Sequence, residues 1–161
     1  MSTSTLIESE AFATKIVLQL IVTALLMVQA PLDLRTHQLS RSMTCAGGLA
    51  VFLTLTIDAF VRRELTRGLL SGAATAGLVL TYFALHRLSP RSLGLGDVLL
   101  VIPLALSIGY LGVEQIVLWQ LFSSSSGAVH ALGLGRKRGN RGVPFGPHLL
   151  GTAWLMLLLS L

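Results

Sequence analysis

Two aspartates, Asp33 and Asp97, stand where this chain is otherwise suited to lipid. Asp33 follows the apolar run ending "VQAPLD", and Asp97 opens the run "VLLVIPLALSIGYLG" after the glycines of "GLGD". A carboxylate at the edge of hydrocarbon is costly to bury, so it is paired, hydrated or employed. Two carboxylates brought close raise one pKa and share a single proton, so that one acts as general base while its partner acts as general acid. The ionised member activates water and the protonated member polarises a carbonyl, which is the chemistry of aspartyl hydrolysis. The apparent pKa values belong to the pair, with the roles of base and acid left open between them, and Arg35 beside Asp33 pulls the other way.

Other candidates carry less. His37, His86, His130 and His148 match no ligand spacing, so neither a metal nor any cofactor is expected. Cys45 is the single cysteine, which excludes an intrachain disulfide and a zinc knuckle. The run "SSSSG" from Ser123 to Gly127 suggests a serine nucleophile, yet no base stands in convincing register, and helix packing is the expected role. Asp58 is expected to reach Arg62 four residues on, or headgroup water. Trp119, Trp154 and the pair Tyr82-Phe83 read as packing or interface aromatics.

The elements that must position the aspartates are membrane helices. Of 161 residues 53% are hydrophobic and 12% charged, and the mean hydropathy is +0.76, too apolar for a soluble domain of this length. The net charge of +5 is explained by cytoplasmic loops, and the interleaved aromatics of a nucleic-acid surface are missing, so the expected surroundings are a lipid bilayer and no nucleic acid. The start of the chain carries Glu8 and Glu10 where a secretory signal has a basic segment, and it reads as a retained first span.

Six stretches approach spanning length: Phe12 to Ala30, Met43 to Phe60, Gly68 to Leu85, Val98 to Gly112, Gln115 to Gly133 and Pro147 to Leu161. The fourth and sixth are short, and the fifth is the least oily, so it should face other helices or a wet cleft. In the third, Gly72 with Ala76 and Ala73 with Gly77 are spaced for close helix approach. The fold class is thus all-α, one polytopic domain over residues 1–161 with about six transmembrane helices. Arg35, Arg41, Arg87, Arg91, Arg136, Lys137, Arg138 and Arg141 fall on one face, which the positive-inside rule makes cytoplasmic, leaving both termini outside. Asp33 and Asp97 are the acids on that face. Two crossings separate them, and an even number returns the chain to the same side.

The segments around the pair have a mechanical reading. Gly94 and Gly96 permit positive φ and close backbone approach, so an extended substrate can lie against them before a helix begins at about Val98, with Asp97 capping it. In "VPFGP", Pro144 and Pro147 bracket Phe145 and Gly146, and Pro147 suits the first helical position of the last span.

Taken together, "PLDLRTHQLSR" after a first span, "GLGDVLL" opening a fourth and "VPFGPHLLG" opening a sixth resemble the type IV prepilin peptidases, the GxGD-type intramembrane aspartyl proteases, over about the whole chain. The resemblance implies that Asp33 and Asp97 are the catalytic pair, supported by Gly94, Gly96, Arg35, Pro144, Phe145 and Gly146. It implies a pilin-like precursor protein as substrate, with a basic leader cut at the cytoplasmic side of a bacterial plasma membrane. It specifies neither the particular pilin nor an oligomeric state. Two departures stand out: Leu39-Ser40-Arg41 replaces the family's common Ile-Pro-Asn turn, and Leu99 stands where a lysine is usual. Longer relatives add a cysteine-containing cytoplasmic portion and N-methylate their product; cleavage alone is expected here. The alternative is a non-catalytic membrane component of a pilus or secretion assembly. A small transporter would need a polar path across the membrane, and only the fifth span offers much of one.

Overall fold

The computed structural model describes residues 3–36, 39–88, 94–138 and 145–161. The described chain is all-helical: α1 (Thr3–Thr36), α2 (Arg41–Arg62), α3 (Leu65–Leu88), α4 (Leu95–Gly109), α5 (Val113–Arg138) and α6 (Gly146–Leu159). Three stretches, Ser9–Arg35, Arg41–Arg62 and Gly68–Leu88, are long and apolar enough to cross a membrane. They carry a surface soluble helices do not: Met27, Phe60, Leu69 and Leu80 are all exposed.

The helix at the centre is α4. Its 15 residues are apolar all round, and Val98, Leu100, Val101, Leu104, Ala105 and Ile108 are buried. A helix without a polar face has to be enclosed, and α2, α3, α5 and α6 all pack on it. On α3 the buried row is Ser71, Thr75 and Tyr82, with the Ser71 hydroxyl lying directly on Gly109 of α4. The small-residue rows expected to do this are out of phase: a Cβ at Gly72 or Gly77 would meet nothing within 4 Å. The i, i+4 spacing of the helix interface is as expected, but it begins one residue earlier.

Turns are tight. Arg63, at φ 57°, closes α2 in the left-handed conformation and lets α3 begin two residues later. Between α4 and α5 only residues 110–112 intervene, and Gly112 at φ +151° takes a backbone conformation that a side chain would strain. Helix α4 therefore ends at Gly109 and α5 starts at Val113, a corner two to three residues earlier than the sequence suggests. The fifth helix hides part of its polar side: Ser123 is buried and Gln120 bonds the Tyr82 hydroxyl, while Ser124 and Ser125 are exposed. Trp119 is fully buried, its indole N–H on the Leu149 carbonyl 3.1 Å away, a core residue and not an interfacial one.

Candidate active site

Asp33 does not lie in a loop after the first span. Helix α1 continues past Pro31 to Thr36, so Asp33 sits in its final turns, only 6% exposed. Pro31 lacks the N–H that would bond the carbonyl of Met27, yet near the end of a helix this costs little continuity. Phase then decides which neighbours matter. Four residues back, on the same face, is Gln29, fully buried; two residues on, Arg35 projects to the opposite side, about 200° around the helix, and is exposed.

Gln29 is a residue the sequence reading missed. Its amide clamps the start of α2: the Ser40 N–H donates to Gln29 Oε1 at 2.8 Å, and Gln29 Nε2 donates to the Ser40 carbonyl at 3.1 Å and to Thr44 Oγ1 at 2.7 Å. Ser40 is also the N-cap of α2. The start of α2 is thus anchored to α1 by a buried side chain. Replacing Gln29 with Leu leaves the Ser40 groups without these partners and is expected to destabilise the protein by about 1–3 kcal/mol. Thermal unfolding followed by Trp119 and Trp154 fluorescence measures this; an unchanged midpoint would show that the clamp holds nothing.

Asp97 is likewise differently placed. The helix starts at Leu95, with Gly94 as N-cap at φ −73° and ψ 148°, so Asp97 is its third residue and not its cap. From there Asp97 Oδ2 accepts the Gly94 N–H at 3.2 Å, half of a capping box. Neither Gly94 nor Gly96 has positive φ. What glycine supplies at 96 is room, because a Cβ there would stand 3.1 Å from the Cβ of Leu39.

The two aspartates line one cavity of about 560 Å³, together with Leu39, Arg41, Gly94, Leu95 and Gly96. Burial first, and then the charge of Asp33, push the Asp97 carboxyl up from 3.8 to about 6, with the Gly94 N–H opposing. Folding therefore favours the protonated form. The stabilisation this gives is fully present below the unfolded value near 3.8 and is lost as pH rises through about 6. Melting midpoints in detergent are expected to fall between pH 4 and pH 7, and to fall less steeply in Asp97→Asn; parallel curves would contradict this.

The remaining expected site residues divide. Gly146 opens α6 against the first aspartate, and a Cβ there would come within 2.8 Å of Asp33 Oδ2 and 3.3 Å of Leu39. Phe145 instead lays its ring on Gly127 of α5. Arg41, the first residue of α2, lines the cavity, whereas Arg35 is exposed on the other side of α1. Pro144 lies outside the described residues. Pro147 is the second residue of α6, within a position of where the sequence puts it.

A histidine of α6 approaches a serine of α5. His148 Nδ1 lies 3.1 Å from Ser126 Oγ, and His148 Nε2 lies 3.2 Å from His130 Nδ1, the two rings edge to face. The Ser126 hydroxyl donates to the Ser123 carbonyl at 2.9 Å, so with Nδ1–H donating to Ser126 the imidazole is not set to remove its proton. Among the described residues no group of three His, Cys, Asp or Glu side chains is disposed to hold a metal ion. At the other end of the bundle Asp58 pairs with Arg62 at 2.9 Å, as its spacing predicts, and also accepts from Thr14 and Tyr110. No family model, curated protein or solved structure matches this chain.

Proposed function

We propose that the chain is an aspartic endopeptidase of the prepilin peptidase kind, a six-crossing protein of a bacterial plasma membrane with both termini outside. It would remove the basic leader from a pilin-like precursor at the cytoplasmic edge, with no cofactor. The observation that carries this reading is the cavity that Asp33 and Asp97 line together, where burial first and the neighbouring carboxylate second favour the protonated form of Asp97. Water attacks the peptide carbonyl while the ionised carboxylate takes its proton. The protonated carboxyl gives its own proton to the carbonyl oxygen. Collapse of the tetrahedral intermediate sends a proton to the leaving nitrogen and restores the shared proton.

The Gln29 clamp supports the same reading, since it offers a substitute for the stiffening proline absent after Asp33. So does Gly146, whose missing side chain leaves room for the Asp33 carboxylate. The test mixes membranes bearing the protein with a pilin-like precursor and follows the mass of the new N-terminus. Wild type is expected to release a leader and Asp33→Asn or Asp97→Asn is not. Absence of cleavage by wild type across basic-leader precursors would favour the non-catalytic alternative.

A further inference from the structure

A second polar cavity, of about 610 Å³, lies at the end of the bundle away from the aspartates and is lined by both Lys15 and Arg62. Lys15 precedes Asp33 by a helical rise of roughly 27 Å along α1, close to the roughly 30 Å thickness of a bilayer's hydrocarbon core. The two cavities are therefore separated by about the thickness of a bilayer's hydrocarbon core.

Arg62 is held there in an unfinished state. Its side chain is 7% exposed and its Nε donates to Asp58 at 2.9 Å, yet its Nη2 is buried with no acceptor. A buried guanidinium N–H without an acceptor is costly, and an anion is the strongest acceptor a ligand can offer it. Lys15 supplies a second cation to the same cavity, its ammonium steadied by the Ser160 carbonyl at 2.7 Å. The other walls are apolar: Leu118, Phe122, Met156 and Leu159 line the cavity, and Leu118, Phe122 and Leu159 are exposed on the outside of the bundle.

Cations inside and an apolar wall opening sideways describe an amphiphile with an anionic head. We propose that this cavity binds the phosphate of an anionic phospholipid, with the Arg62 guanidinium and Lys15 Nζ as donors and the acyl chains along Phe122 and Leu159. A free inorganic anion satisfies the donors but leaves that wall uncovered. Asp58 holds the guanidinium from the far side, so Arg62 is oriented before the lipid arrives.

The test uses the full chain in a nonionic detergent, titrated with short-chain phosphatidylglycerol, with phosphatidylcholine of the same chain length, or with inorganic phosphate, while tryptophan fluorescence reports the melting midpoint. Phosphatidylglycerol is expected to raise the wild-type midpoint more than phosphatidylcholine does. Its half-saturating concentration is expected to rise about tenfold in Lys15→Gln and in Arg62→Gln, the loss of one charge-assisted contact. Arg62→Gln also releases Asp58 and can lower stability by itself, so Lys15→Gln, on a different helix, decides. Equal response of Lys15→Gln and wild type, or full stabilisation by inorganic phosphate alone, overturns the lipid assignment. Neither readout involves cleavage, so the result stands apart from the proposed protease activity.

Discussion

Asparagine at position 33 or at position 97 is expected to lower precursor cleavage by at least about 10³-fold, the scale on which acid–base groups contribute. The change is close to isosteric, so loss of rate reports on the proton and not on packing. At position 97 the asparagine oxygen can still accept the Gly94 N–H, so the start of α4 should survive. The double variant should be little worse than either single one, because the two carboxylates act as a unit and removing one disables both. Cleavage near the wild-type rate in either single variant would end the assignment of a catalytic pair. Equal melting midpoints at neutral pH, or higher ones in Asp97→Asn, would show that the lost rate is not lost structure.

Gly146→Ala is expected to reduce cleavage by about 10²-fold while leaving the helices intact, since misplacing a reacting group by about 1 Å can cost that much. The methyl group would come 2.8 Å from Asp33 Oδ2, nearer than such atoms approach, and the carboxylate, as the movable partner, must turn away. Leu39, 3.3 Å from the same point, limits the room for the turn. Gly151→Ala, in the same helix but with nothing within 4 Å of the added carbon, is the matched control and should cleave normally. If both variants cleave like wild type, the position of Asp33 against α6 is not the one that acts.

The aspartates were legible in the sequence because charge is conspicuous in an apolar chain, and because crossings can be counted without knowing how helices pack. Their neighbours were not. Gln29 looks like an incidental polar residue inside a span until α1 is seen to run on to Thr36, which places it one turn from Asp33 and opposite Ser40. Arg35 is nearer to Asp33 in sequence than Arg41, but an α-helix sends residues two apart to opposite sides, and only Arg41 reaches the cavity. His148 and Ser126 come from different helices, and no spacing rule within one element could have joined them. The offset of the α3 contact row to Ser71 and Thr75 has the same origin: periodicity gives the spacing of a face, and only the partner, here Gly109, fixes which face it is.

The shortness of α4 has a consequence for the membrane itself. Under the proposed six-crossing arrangement its fifteen residues rise about 22 Å, less than the roughly 30 Å of hydrocarbon, so the bilayer must thin or admit water along the chain at an end of this helix. On the proposed function, a precursor anchored by an oily helix would then present the bond at that helix's edge by sliding sideways, without lifting its anchor out of lipid.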